Sequence, residues 1–191
     1  MITVVIPTHD SERLLVSTLS ALVVGSAEGL VREVLLADAD STDGTKTIAD
    51  AAGCEIVTGP ADEGARLSAA AEAARGPWLM FLDCGAVLDE DWTREVGAFV
   101  GGREAALDRV GAFRIAFASE SMASRVRAAA ASWRFALLGR PRPEQGLLIA
   151  KEFYRSIGGY GAGADSRRRL LQRIGRDRFI DLRTRITLPE G

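Results

Sequence analysis

Three carboxylates and a run of arginines stand where this chain could do chemistry. Asp83 closes an unbroken apolar run, Trp78 to Leu82, and is followed by Cys84 and Gly85. Asp38 closes a second apolar run, Val34 to Ala37. Glu144 sits between a stiff Pro141-Arg142-Pro143 and Gln145-Gly146. Arg167, Arg168 and Arg169 are consecutive. A carboxylate at a strand end can accept hydrogen bonds from a ribose or a base. An arginine fork can give paired hydrogen bonds to phosphate oxygens. Ribose, base and phosphate together make a nucleotide-bearing ligand.

Such residues need elements to hold them. Trp78 to Leu82, bounded by Gly76-Pro77 and Gly85, fits a strand buried on both faces, which belongs to a parallel sheet with helices on either side. Ligands of open α/β sheets bind beyond the carboxyl ends of the strands, where Asp83 and Asp38 fall. Upstream, Ile2 to Ile6 reads as a strand ended by Pro7, and Asp10 or Ser11 can cap a helix ending near Gly25. A strand over Val34–Ala37, a helix from Thr45 to Ala52 closed by Gly53, and a strand over Glu55–Thr58 follow. Asp62 to Arg75 is Ala-rich and helical. Asp89 to Val100 is expected as a helix capped by Asp89. Strands and helices alternate four times, the βαβ pattern of a parallel sheet. Beyond Gly102 the pattern loosens. It gives a strand over Val110–Phe117, a helix over Ser121–Leu138 and a break at Gly139–Pro143. A strand over Gly146–Ala150, a short helix over Lys151–Ile157 and a basic helix over Ser166–Ile174 complete it. The expected organisation is one domain over residues 1–191. Residues 1–102 form a nucleotide-binding half, 103–175 an acceptor-facing half and 176–191 a tail.

The chain has 191 residues, 47% of them hydrophobic, which suits one globular domain with a core. No apolar run approaches the roughly 20 residues of a membrane helix. The start, MITVVIPTHD, lacks a basic n-region, and Cys54 and Cys84 have no disulfide or metal spacing. A cytoplasmic protein with reduced thiols is the expectation. The net charge of −2 hides an asymmetry: residues 1–120 balance to −11 and residues 121–191 to +9. The basic third suits an anionic partner, or pairs with the acidic part of the same chain. It carries no nucleic-acid reader motif, so no nucleic acid is expected. Trp133, Phe135, Leu137 and Leu138, flanked by Arg125, Arg127, Arg134 and Arg140, suit either a helix packed on the core or one resting on a membrane surface or a lipid-linked acceptor.

Four segments in order resemble a family 2 glycosyltransferase of the GT-A fold. They are VVIPTHDSERLL (4–15), EVLLADADSTDGTKTIA (33–49), the Asp83 segment and PEQGLLIAKEFYRSIGGY (143–160). SRRR (166–169) resembles an arginine-containing segment of small members. The resemblance covers roughly residues 1–175. It implies an α/β fold, a GT-A-like, Rossmann-like, mostly parallel sheet flanked by helices. It also implies transfer of a sugar from a nucleotide-diphospho-sugar to an acceptor hydroxyl, with inversion. Asp38 would contact the nucleobase, with Pro7 and Thr8 lining the same pocket. Asp43 and Thr45 would shape the turn. Asp83 would touch ribose and hold Mg²⁺ or Mn²⁺, although Gly85 replaces the second aspartate of the family's Asp-x-Asp. With that carboxylate missing, the local basic excess points to Arg168 and Arg169, with Arg167, as ligands of the diphosphate. Glu144 would take the proton of the acceptor hydroxyl. The arginine that the family often carries near Gly64 falls on Ala65, with Arg66 one residue later. Gly85 also supports a second reading, a relative that binds the nucleotide without turnover.

Overall fold

The computed structural model describes residues 1–102, 107–117 and 141–189. The expected helix over Ser121–Leu138 lies outside the described residues.

The first half follows the alternation read from the pattern. Strand β1 (Ile2–Thr8) leads to helix α1 (Glu12–Ala27), β2 (Val31–Asp38), α2 (Thr45–Ala51), β3 (Glu55–Thr58), α3 (Glu63–Ala73) and β4 (Trp78–Phe81). A short β5 (Val87–Leu88), α4 (Trp92–Gly101) and β6 (Val110–Phe117) follow. Then come a 3₁₀ turn (Pro143–Gln145), β7 (Leu147–Ala150), α5 (Lys151–Ser156), α6 (Ser166–Ile174), a second 3₁₀ turn (Arg176–Arg178) and β8 (Phe179–Leu188). The eight strands form one sheet in the order β3-β2-β1-β4-β7-β6-β8-β5.

Strands β3, β2, β1 and β4 run parallel. β7 is antiparallel to β4 and to β6, and β8 runs parallel to β6 and antiparallel to β5. The chain steps outward from β1 through β2 to β3, then returns to place β4 on the other side of β1. That reversal opens a crevice beyond the carboxyl ends of β1 and β4. β4 sits centrally and is buried along its length, which explains its unbroken apolar run. Each large apolar side chain fully buried there contributes about 1.5–3 kcal/mol.

Several boundaries differ from the sequence expectation. β1 runs through Pro7 to Thr8. β4 pairs with it only as far as Val5, so Pro7 has a strand neighbour on one side alone and its missing N–H costs little. α1 does not stop at Gly25, which lies inside it. A Cβ at Gly25 would meet the Trp92 ring at 2.4 Å, so this glycine is a close-packing site rather than a helix end. Asp89 does not cap α4. The helix starts three residues later, and the Asp89 carboxylate pairs with Arg185 at 3.0 Å. The segment expected as a tail forms β8. Its alternating Leu182, Thr184 and Ile186 are buried, while Arg183 and Arg185 are exposed. Two-residue alternation with arginine on the open face marks a half-buried strand. On the helix side, the Glu95 carboxylate of α4 accepts from the Arg183 N–H (2.6 Å), the Thr184 N–H (2.5 Å) and the Thr184 hydroxyl (2.6 Å).

Candidate functional site

The turn after β1 and the turn after β2 are locked together, and the Ser41-Thr42-Asp43-Gly44-Thr45 sequence is the lock. Ser41 Oγ donates to Asp38 (2.5 Å) and accepts from the Asp10 N–H (3.0 Å). The Thr42 N–H donates to Asp10 (2.8 Å). Asp43 accepts from the Glu12 N–H (2.9 Å) and from Thr45 Oγ1 (2.5 Å). The Gly44 N–H donates to Glu12 (3.0 Å), whose carboxylate lies where a Cβ at 44 would stand. Asp43 and Thr45 therefore shape the turn, in keeping with their expected part.

Asp38 belongs to the same lock. It is fully buried, accepts from Thr8 Oγ1 (2.8 Å), Ser41 Oγ (2.5 Å) and the Ser41 N–H (2.8 Å), and does not line the cleft. Burial opposes its charge, but the hydrogen bonds from Ser41 and Thr8 outweigh burial and hold the carboxyl below its ordinary range. The Asp38 oxygens accept from Thr8 and Ser41, so that Asp38 positions the turn from beneath the cleft.

The cleft itself, about 590 Å³, opens at the crevice beyond β1 and β4. Pro7 and Thr8 line it from β1, Asp83 from the end of β4, and Glu144, Arg167 and Arg168 from the second half. Arg169 does not line it. Its guanidinium turns back to the Ala162 carbonyl, unlike those of Arg167 and Arg168, which border the cleft. Arg66 does reach the cleft from α3. It is fixed by the Pro60 and Ala61 carbonyls at 2.8 and 2.5 Å, and its Nε has no partner among the described residues.

Arg167 is the centre of the arrangement. Its NH1 donates to Asp83 Oδ1 (2.5 Å) and its Nε to Glu63 Oε1 (2.6 Å). The first turns of α3 and α6 meet at Gly64, where a Cβ would strike the Gly161 carbonyl at 2.2 Å, so Glu63 and Arg167 are brought together by close packing. Asp62 caps α3 through the Ala65 N–H (2.9 Å) and also accepts from the Gly163 N–H (2.7 Å), fastening the loop before α6. Phe81 and Tyr160, with ring centroids 4.9 Å apart, give this region an apolar floor. Burial pushes the Asp83 carboxyl up, and Arg167 pulls it back only in part. Burial also works against the Arg167 charge, but Asp83, Tyr160 and Glu63 more than offset it, so the guanidinium stays charged.

Sequence reasoning treated the three arginines alike. The signal that separates them is periodicity. Arg167, Leu170, Leu171 and Ile174 fall at i, i+3, i+4 and i+7 on one face of α6, and the three apolar ones are buried. Arg167 therefore points inward with them. Glu63 carried no comparable signal, because only the Gly64 contact brings it near.

Glu144 projects from the 3₁₀ turn on an anchored base. Gln145 beside it is buried, accepts from the Arg142 N–H (2.6 Å) and donates to the Phe113 carbonyl (2.8 Å). Gly146 has φ +66° and no room for a Cβ, which would lie 2.8 Å from Ile186. The glutamate is exposed and borders both the main cleft and an adjoining cavity of about 500 Å³, which also touches Pro143 and Arg168.

The fold implies a divalent cation near Asp83, and the side chains present do not fit one. A hard dication wants carboxylate oxygens in its shell. The Asp83 carboxylate is engaged by Arg167, position 85 has no side chain, and Cys84 is a soft ligand. Among the described residues no three His, Cys, Asp or Glu side chains converge as a metal site.

A mixed eight-stranded sheet with helices around it and a cleft at the β1/β4 reversal defines a GT-A-type protein. The chain belongs to glycosyl transferase family 2, whose family model matches residues 3–174. Among solved structures it is similar to Mycobacterium tuberculosis glucosyl-3-phosphoglycerate synthase in complex with Mn²⁺, uridine diphosphate and glucosyl-3-phosphoglycerate. That match has 21% identity and a TM-score of 0.67 over 98% of this chain and 70% of that one. It is also similar to S. aureus TarS 1–349, at 14% identity and a TM-score of 0.74 over 98% and 60%. A further structure, of a mycobacterial protein, gives 21% identity and a TM-score of 0.71 over 99% and 65%. The chain therefore spans about two thirds of the length of these proteins. No curated protein matches it. No helix among the described residues is long and apolar enough to cross a membrane.

Proposed function

We propose that the protein transfers a sugar from a nucleotide-diphospho-sugar donor to an acceptor hydroxyl, with inversion. The observation that carries this reading is the place of Glu144, on the wall shared by two adjoining cavities. A carboxylate there can face a donor in the larger cavity and an acceptor in the smaller. Residues 1–102 supply the donor half, with Pro7 and Thr8 beside the base and Asp83 beside the ribose, and residues 103–175 supply the acceptor half. Glu144 takes the proton of the acceptor hydroxyl. The acceptor oxygen bonds to the anomeric carbon, whose bond to the diphosphate oxygen breaks, and the electron pair leaves on that oxygen. Arg168, with its exposed guanidinium on the same wall, faces the departing diphosphate.

The similar mycobacterial synthase was solved with uridine diphosphate, which makes uridine donors the first to test. The experiment is a thermal-shift and transfer panel of UDP-, GDP- and dTDP-sugars. One donor is expected to raise the melting temperature with concentration and to release its nucleoside diphosphate. A panel in which no donor binds overturns the reading. Gly85 favours a second reading, a relative that binds the nucleotide without turnover. Stabilisation by a donor with no hydrolysis or transfer, across a broad acceptor set, selects it.

A further inference from the structure

We infer that Arg167 engages the Asp83 carboxylate in place of a divalent ion, and that this protein binds the diphosphate of its donor without a metal. The inference rests on the donor class proposed above. It starts from a carboxylate that is already neutralised. Among the described residues Asp83 has one positive partner, Arg167, at 2.5 Å, and a dication placed on Asp83 would have to displace that guanidinium and then sit beside it.

The second carboxylate is absent for a reason visible in the packing. Gly85 has φ +89°, and a Cβ there would lie 2.8 Å from the Pro189 ring, at the end of β8. The Gly85 N–H is tied to Thr18 Oγ1 at 2.8 Å, and the Ala86 N–H to the Asp83 carbonyl at 3.1 Å. The loop is therefore held from α1 and β8 in a shape that excludes a side chain at 85. Loss of the second aspartate is matched by the rest of the fold.

Arg167 is also set up to hold an anion. Glu63 and Asp83 fix its Nε and NH1, and NH2 has no partner among the described residues. Its side chain is 21% exposed, so its charge acts across a less polar medium than that of Arg168, which is 74% exposed. Glu63, 47% exposed, shares the Arg167 charge through Nε, and Asp165, 67% exposed, pairs with Arg168 instead. Arg66, buried and with Nε unpartnered among the described residues, borders the same cleft from α3.

The test is calorimetric titration of UDP and GDP into the protein at fixed ionic strength, in EDTA and in Mn²⁺, with uridine and guanosine as controls. The bound diphosphate is expected to have the same Kd in both buffers, within about twofold. Arg167→Ala is expected to weaken it by about 10- to 100-fold, the range for a hydrogen bond to a charged group, with the nucleoside Kd unchanged. If Arg167→Ala does not fold, Arg167→Lys carries the comparison. A lysine cannot reproduce the fork, so diphosphate binding weakens while nucleoside binding holds. A wild-type Kd that rises tenfold or more in EDTA overturns the inference and leaves the proposed function standing. So does wild-type diphosphate affinity in a folded Arg167 variant. If neither diphosphate binds in either buffer, the inference falls, and the panel of donors decides the proposed function.

Discussion

Replacing Glu144 with glutamine keeps its size and its place on the 3₁₀ turn but removes its ability to take a proton. Sugar transfer is expected to fall by about 10²- to 10⁴-fold with donor affinity unchanged, measured by steady-state kinetics beside donor titration. An unaffected rate would strip Glu144 of its role. Asp38 has the opposite profile, since it works through the fold. Asp38→Asn is expected to cost about 1–3 kcal/mol in urea unfolding, because Thr8 and Ser41 lose an ionised acceptor. The sign with pH follows from the depressed carboxyl. An unfolded aspartate titrates near 3.9. The Asp38 contribution is then complete above that pH and disappears as pH falls through the lower folded value. The gap between wild type and Asp38→Asn should therefore shrink as the pH falls below about 4. A gap that widened on acidification would contradict this account. At this scale Asp83 and Glu144 were legible in the sequence as carboxylates beside turns. The internal commitment of Asp38 was not, because it depends on which way two hydroxyls face.

Among the elements, β8 shows most clearly what one-dimensional patterning hides. Its alternation is present, but charged residues are interleaved through it and the stretch follows the last segment with a recognisable pattern, so it reads as a tail. What fixes it is distant: Glu95 of α4, Asp89 through Arg185, and Arg114 of β6 through Asp181 at 2.7 Å. Glu95→Ala is expected to lower amide-exchange protection of Arg183–Thr187 and of Val87–Leu88, and to leave β1 to β4 protected. Equal loss across the whole sheet would mean that Glu95 does not act through β8. The first four strands were legible because each is framed by a glycine, proline or aspartate turn and carries its own apolar run. α1 was misjudged at Gly25 because a glycine chosen for contact with Trp92 looks, in sequence, like one chosen to end a helix.

The described residues share one apolar core that runs from Ile2 of β1 through Phe81 and Ile149 to Ile186 of β8, joining the first half of the chain to the second. Unfolding of the two halves is therefore expected to be one transition, with far-ultraviolet dichroism and tryptophan fluorescence coincident in urea. Separate midpoints would show that the halves have independent cores. Charge tells a related story. The acidic and basic parts of the chain meet in pairs such as Glu72 with Arg155 (2.5 Å) and Glu63 with Arg167, so part of the asymmetry seen in sequence is spent internally. Composition alone could not divide the arginines between those held by carboxylates and those left to a ligand.

β8 also sets an order in time. Val87 pairs with Thr187, and the Gly85 loop rests against Pro189. During synthesis the loop that carries Asp83 leaves the ribosome long before the strand that shapes it. β1 to β4 can pair while the chain is still growing, whereas the cleft must wait for late residues to thread between β5 and β6. A nascent chain stalled before Phe179 would thus hold the parallel strands and an open, unfinished nucleotide loop.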